Sequence, residues 1–261
     1  MSAPILEGKD HGEVSAFTPE SLLREARRQK GLAPAGVPVL CVLDPDGDIV
    51  HDLVASGRAV RDRGWACYHT ELFLVDEPGL RYGIIGGVVG ASFAVLVAEE
   101  LFASGCHLLV SVTSAGQITP LGPPPYFILI DRALRDEGTS YHYLAPARYA
   151  EADPVLLDRA QSVLRGVDLV IEQGATWTTD APFRETVRAI AARHAESILA
   201  VEMEAAALYA FAQARSRAVL CFAHVTNQMG RAELDFEKGQ ANGAHDALRL
   251  IETIVRALGP R

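Results

Sequence analysis

The sequence has little of what marks membrane or exported proteins. Its longest apolar runs, such as Val37–Leu43 and Phe93–Ala98, fall far short of the ~20 residues that cross a bilayer. Residues 1–15 lack the positive start and the long apolar stretch of a secretory signal. We therefore expect a cytoplasmic protein that has no membrane partner.

Cysteine is also scarce. The chain has four cysteines, with no C-x-x-C pair and no histidine pair at metal-ligand spacing beside them. We interpret them as buried apolar side chains and predict neither a metal site nor a cofactor.

Basic charge is in the minority. The 24 Lys and Arg residues face 33 Asp and Glu residues, which gives a formal net charge of −9. With no basic stripe to neutralise phosphates, we expect no nucleic-acid partner. The one basic cluster, LLREARRQKG, is predicted to be the solvated face of a helix that begins after Thr18 and ends at Gly31. Residues before Pro19 are expected to be mobile or held by another subunit.

Short aliphatic runs alternate with helix-period segments along the rest of the chain, which is typical of an α/β fold with a mainly parallel sheet. Helices are predicted between Asp153 and Gly166 and from Ala244 to Leu258. No linker divides the pattern, so we predict an N-terminal arm and helix over 1–36 and one α/β domain over 37–261. The predicted strands are Val37–Leu43, Gly83–Gly87, His107–Val112, Tyr126–Asp131, Asp168–Glu172 and Ala218–Val225.

Ligands of open parallel sheets bind beyond the carboxyl ends of the strands, so the segments that follow strands are of most interest. The segment GGVVGAS contains Gly87, whose backbone N–H could approach a ligand, although a tight turn would use the same residues. The pair Thr113 and Ser114 follows the next strand; its hydroxyls suit a sugar or an oxyanion, and they equally suit a turn.

The segment GATWTTDAPFRET follows the predicted strand that ends at Glu172. Trp177 and Phe183 offer flat surfaces for a planar ligand. We expect Asp180 to cap a helix that begins near Pro182.

Two carboxylates enclose a methionine in VEMEAAALYAFA, where Glu202, Met203 and Glu204 open an otherwise apolar helix. Carboxylates at a helix start can simply complement the helix dipole. These two lie between an apolar stretch and small residues, so at least one should be desolvated and need firm donors, which paired sugar hydroxyls would supply.

Together, VEMEAAALYAFA, VTSAGQI, RDEGTSYHYLAP and TTDAPFRET resemble segments of the nucleoside phosphorylase superfamily. The resemblance implies a single α/β domain around a mixed, mostly parallel and partly barrel-like sheet, assembled as a homo-oligomer. It also implies a small-molecule nucleoside as the ligand.

The resemblance also implies roles for individual residues. Glu204 would bind the ribose hydroxyls, Met203 would pack on the sugar, and Glu202 would help to close the sugar and base end. Ser114 would lie near the sugar and the attacking group. Asn227, in HVTNQMG, would orient the base, although an asparagine cannot donate a proton as a general acid. Phe183 and Trp177 would be the residues that stack on the base.

Three arginines of the family's phosphate site are missing, because Gly47, Thr70 and Ser111 stand at the matching positions. Phosphate recognition relies on such fixed donors, so water is slightly favoured over inorganic phosphate as the acceptor. Asp46 or Asp48 would then act as the base, unless the loop that holds them is only a turn and a helix cap. True phosphorolysis, with phosphate as co-substrate, and a non-catalytic nucleoside-binding protein are the alternatives. The choice between purine and pyrimidine stays open.

Overall fold

The computed structural model describes residues 4–228 and 238–259. Ten strands form one mixed sheet: β1 (Leu40–Asp44), β2 (Ala59–Arg61), β3 (Phe73–Glu77), β4 (Leu80–Gly86), β5 (Leu108–Gln117), β6 (Tyr126–Asp136), β7 (Tyr149–Glu151), β8 (Ile171–Thr179), β9 (Ala200–Glu202) and β10 (Ala218–Gln228). The α-helices in these ranges are α1 (Pro19–Lys30), α2 (Asp48–Ala55), α3 (Ala91–Ala103), α4 (Pro154–Leu164), α5 (Val187–Ala195), α6 (Ala205–Arg215) and α7 (Ala244–Leu258). None of the helices in the described ranges has the length and apolar character that spanning a membrane requires.

Part of the sheet closes on itself. The strand order is β10-β6-β8-β9-β5-β1-β4-β3-β2, and β10 also pairs with β5. The strands β10, β6, β8, β9 and β5 therefore form a five-stranded barrel, from which the other strands extend. The prediction of a single α/β domain with a mixed, partly barrel-like sheet is confirmed.

Two apolar cores hold the helices against the sheet. One core includes the buried faces of α3 and α6, and the other includes the apolar stripe of α7 with parts of α2 and α4. Helix α6 is buried along almost its whole length, from Ala205 to Ala212. Its small side chains let it lie close to the strands, which brings its first turn to the carboxyl ends of those strands.

The predicted helices begin and end where their capping residues stand. Thr18 accepts a hydrogen bond from the backbone N–H of Ser21, and Asp153 accepts one from Leu156. Gly31 closes α1 in the left-handed conformation, with φ of 65°. The four cysteines are free and buried, as predicted.

Two local expectations were wrong. The strand predicted to end at Val112 continues through Thr113–Gln117, which belongs to β5 and pairs with β10 and β9. Asp180 does not cap a helix; its carboxylate accepts the backbone N–H of Gly138, and Thr186 caps α5 instead.

The strand predicted over Asp168–Glu172 lies later in the chain than expected. Strand β8 begins at Ile171 and continues to Thr179, so Trp177 belongs to the strand and not to a loop after it. The pairing of β8 with β6 and β9 extends the strand through this polar stretch.

The N-terminal arm was expected to be mobile or held by another subunit. Its described part bonds to the same chain, through Lys9 to His142 and through His11 to the carbonyl of Tyr141. The division at residue 36 stays a prediction.

Candidate active site

Polar side chains converge where β1, β5 and β10 end side by side. The register pairs Leu43 of β1 with Ser111 of β5, and Ser114 of β5 with His224 of β10. The loop after β1 therefore lies next to the last residues of β5 and β10. This edge of the sheet carries most of the predicted site residues.

Glu204 joins three separate segments of the chain. Its carboxylate accepts hydrogen bonds from the backbone N–H of Gly90 at 2.6 Å and from the Thr113 hydroxyl at 2.9 Å. Glu204 is only 1% exposed, and this burial, reinforced by the nearby Glu202, raises its pKa to about 8. The firm donors expected for it come from the protein itself. Each carboxylate oxygen has a second lone pair, so Glu204 can still accept sugar hydroxyls.

The hydrogen-bond partners of the Glu202 carboxylate are side chains and backbone groups of the surrounding strands and helix. One oxygen accepts the hydroxyls of Thr176 and Thr178 at 3.1 and 2.5 Å. The other accepts the backbone N–H groups of Glu204 and Ala205, both at 2.7 Å. Burial raises the pKa of Glu202. This carboxylate orients the first turn of α6, and through it the neighbouring Glu204.

The loop between β1 and α2 faces Ser114. The Ser114 hydroxyl donates to Asp46 at 3.0 Å. Lys238 donates to Asp48 at 2.7 Å and lies 3.5 Å from Asp46, and the amide of Asn242 donates to Asp48 at 3.2 Å. Both predicted base candidates thus point into the site and do not cap α2.

Asp44 has the capping role that was considered for the whole loop. Its carboxylate accepts the backbone N–H of Val50, and it is 2% exposed. Burial raises the pKa of Asp44 to about 7. From the sequence, Asp46 and Asp48 are the base candidates, with a turn and a helix cap as the alternative for the loop, and the burial of Asp44 is what assigns the cap to that residue.

The loop after β1 and the neighbouring parts of β5 and β10 line a cavity of about 20 Å³. Its lining includes the three loop aspartates, Thr113, Ser114 and His224. A much larger cleft, of about 660 Å³, lies between the N-terminal arm and α3, and it contains none of the predicted site residues. We assign the site to the small cavity, because the predicted site residues Asp46, Asp48 and Ser114 line it.

Sequence reasoning missed His224 and Lys238. His224 occupies a buried place on a strand, which is typical of a core residue, and Lys238 follows a polar stretch with no recognisable motif. The sequence nevertheless contained a signal for His224. Thr226 and Asn227 follow it closely, so polar residues begin at His224 in the last part of this strand.

The glycine loop after β4 borders the site. Gly87 has φ of 74° and donates its backbone N–H to the carbonyl of Asp44. Its neighbour Gly86 passes so close to Gly47 that a Cβ would lie 3.2 Å from the Gly47 Cα atom. The glycines therefore serve close packing of two loops, which was the alternative to ligand approach.

Met203 and Asn227 lie near these groups. Met203 stands between Glu202 and Glu204 in the sequence, and it is half-buried. Asn227 pairs with Gly116 after an irregularity in the β10 ladder, and its side chain is half-buried. Both residues are at the same edge of the sheet as Glu204.

Trp177 and Phe183, the two aromatic residues predicted to stack on the base, do not lie beside Glu204. Trp177 is buried at 3% exposure on the opposite face of β8 from Thr176 and Thr178, and its indole N–H donates to Asp136. Phe183 is 100% exposed and has no packing partner among the described residues. In this structure neither one faces Glu204.

Residues that replace the expected arginines have local roles. Gly47 takes φ of 84° before α2, and Thr70 accepts the indole N–H of Trp65. Ser111 is buried within β5. Over the described ranges, no group of His, Cys, Asp and Glu side chains is arranged to hold a metal ion.

Comparisons with known proteins agree with this picture. Uridine phosphorylase from Vibrio fischeri ES114 superposes with a TM-score of 0.70 at 18% identity, covering 95% of this chain and all of that one. The same enzyme in complex with 6-hydroxy-1-naphthoic acid gives 0.63 at 19% identity, covering 88% and 90%. No curated protein matches the sequence. The model of the phosphorylase superfamily matches residues 40–257, which include the whole sheet and every group of the site, so this chain belongs to that superfamily.

Proposed function

We propose that this protein cleaves the N-glycosidic bond of a nucleoside and uses water as the acceptor, giving the free base and ribose. One observation carries the choice of water: the cavity beside Ser114 holds about 20 Å³ and is lined by three carboxyl groups. That room suits one water molecule. The carboxyl groups that line it would repel a phosphate ion.

Glu204 binds the ribose hydroxyls in this proposal, as the resemblance implies. Its position supports the role, because it touches both the glycine loop and the end of β5. Met203 packs on the sugar, and Asn227 orients the base. Phe183 is exposed enough to close on a bound base, whereas Trp177 would act only through the loop that it supports.

Asp46 is the base that activates the water. The water oxygen forms a bond to C1′ while the C1′–N bond breaks, and one water proton passes to Asp46. The electron pair of the broken bond goes to the leaving nitrogen, which takes a proton from solvent. Lys238, 3.5 Å from Asp46, and the Ser114 hydroxyl, which donates to it, hold that carboxylate in place beside the water.

Phosphorolysis is the second candidate, favoured by the structural likeness to uridine phosphorylase. It would give ribose 1-phosphate and the free base. Its phosphate would rest on the glycine-loop amides and Ser114, with Lys238 as the nearest described cation.

Product analysis separates the candidates. We would incubate the protein with a panel of purine and pyrimidine nucleosides, with and without phosphate, and identify the sugar product. Free ribose at a rate indifferent to phosphate is expected. Ribose 1-phosphate would overturn the choice of water, and nucleoside binding without any product would leave a binding protein.

A matched pair of variants links the activity to the site. Glu204→Gln replaces a carboxyl oxygen that accepts a ribose hydroxyl with an amide nitrogen that cannot accept one, so we expect a loss of roughly 100-fold or more in kcat/KM, about 3 kcal/mol. Glu172→Gln, an exposed position on β8, should leave kcat/KM unchanged. Equal activity of both variants would exclude this site.

We also propose a homo-oligomer in the cytoplasm, as the resemblance implies. Sedimentation velocity should then show one species heavier than the 28.1 kDa chain. A monomer at all concentrations would contradict the assembly.

A further inference from the structure

His224 lies in the site without a role in the scheme above. Its ring stacks on Phe127, with centroids 4.5 Å apart and planes inclined by 13°. A Cβ on Gly243 would lie 2.2 Å from the Cε1 atom and 2.9 Å from Nδ1, so the backbone there covers this edge of the ring. The imidazole is thus fixed on one face and along one edge.

The other ring nitrogen, Nε2, is buried as well. No described residue forms a hydrogen bond with Nε2, and His224 as a whole is 6% exposed. The side chain lines the small cavity beside Ser114. Leaving a buried ring nitrogen unpaired is costly, so this geometry calls for a small polar partner inside the cavity.

The partner must be small and need not be an anion. Burial lowers the pKa of His224 to about 4, although Asp246 and Asp46 act in the opposite direction and Lys238 assists the burial. The imidazole is therefore neutral at pH 7 and offers no positive charge to a phosphate. Nε2 can bond a water molecule in either tautomer, as donor or as acceptor.

We infer that His224 selects water as the acceptor: its ring narrows the cavity that Asp46 also lines, and its unpartnered Nε2 holds the attacking water. The inference rests on the proposed function, because it concerns the same attacking water. His224 is thus a specificity-determining residue for the nucleophile.

Competition between water and methanol tests the inference. Methanol would form the bond to C1′ in place of water and give a methyl riboside, losing its hydroxyl proton to Asp46. We would use the nucleoside that the wild-type protein cleaves fastest, in buffer with added methanol. His224→Ala enlarges the cavity by far more than a methyl group, so the ratio of methyl riboside to ribose should rise about tenfold.

His107→Ala is the matched control. His107 is exposed at the amino end of β5, far along the strand from the cavity, so its ratio should equal that of the wild-type protein. If His224→Ala fails to fold, His224→Asn carries the same test, since a shorter polar side chain also opens the cavity; the ratio should then rise several-fold.

The outcomes are distinct. An unchanged ratio with lower turnover would give His224 a merely structural role and overturn the inference, while ribose production by the wild-type protein would still stand. If the wild-type protein releases no ribose, the proposed function fails and the inference falls with it.

Discussion

At the scale of single residues, the site shows how burial divides identical side chains. Asp44 and Asp46 are two positions apart, yet one is enclosed and bonded to the start of α2 while the other faces Ser114 and Lys238. Enclosure favours the neutral form of the Asp44 carboxyl group and raises its pKa to about 7. A base must reach the attacking water, and Asp46 is the less buried of the two and lies beside Ser114, which is why we assign this role to Asp46.

The buried Asp44 should make the protein less stable as the pH rises. Its pKa is about 7 in the folded chain against 3.8 normally, so the folded state binds more protons than the unfolded state between these values. Replacing the aspartate by asparagine removes this penalty. We expect Asp44→Asn to shrink the fall in unfolding free energy between pH 5 and pH 8 by up to about 3 kcal/mol, because the folded pKa of about 7 leaves about two pH units of this interval, at about 1.4 kcal/mol each.

Urea denaturation at both pH values measures this change. Asp76→Asn, at an exposed position of β3, is the control and should keep the wild-type pH dependence. If Asp44→Asn loses as much stability between pH 5 and pH 8 as the wild-type protein, its carboxyl group is not the source.

At the scale of elements, the first turn of α6 depends on its neighbours in the sheet. No side chain of the helix caps it; Glu202, at the end of β9, accepts two of its free N–H groups. Thr178 of β8 donates to the same carboxylate and accepts the N–H of Ala206. The orientation of Glu204 is therefore determined by two strands and a helix together.

Thr178→Val should loosen this junction. The change keeps the shape but removes a hydroxyl, leaving the Ala206 N–H without a partner and Glu202 with one donor fewer. We expect a loss of roughly 2–3 kcal/mol in unfolding free energy, together with lower activity because Glu204 shifts.

Thr253→Val is the matched control, because that hydroxyl bonds only to the carbonyl of Arg249 in its own helix. It should cost less than about 1 kcal/mol. Equal costs for the two variants, measured by urea denaturation, would argue against a special junction.

At the scale of the whole molecule, one tyrosine helps to join the barrel to its central helix. The Tyr209 hydroxyl, fully buried on α6, donates to the carbonyl of Ile130 in β6 at 2.6 Å and accepts the N–H of Cys221 in β10 at 3.1 Å. These are neighbouring strands of the barrel, and β6 is irregular just after Ile130. The hydroxyl satisfies backbone groups at this point.

Tyr209→Phe should therefore lower the unfolding free energy by about 2 kcal/mol, since two buried backbone groups lose a partner. Tyr68→Phe removes a hydroxyl that bonds to Gln29 at the surface, and it should change stability very little. Thermal unfolding followed by circular dichroism compares the two. A similar melting temperature for both variants would refute the role of Tyr209.

The sequence by itself determined the alternation of strands and helices, several helix limits and the resemblance to the family. Helix limits at Thr18, Gly31 and Asp153 follow from local capping, because the residues that satisfy the free backbone groups lie within a turn of the helix end. The carboxylates of the α6 start were found for a similar reason: charge inside an apolar run stands out in any sequence.

Only the tertiary structure decided what these residues face. Pairing between strands that are distant along the chain makes Thr113–Gln117 part of a strand. It also turns Trp177 away from Glu204 and places His224 beside Ser114. Burial, which separates Asp44 from Asp46 and leaves one nitrogen of His224 without a partner among the described residues, is a property of the packed molecule. Local sequence cannot encode it alone, because the groups that exclude the solvent come from several separate segments.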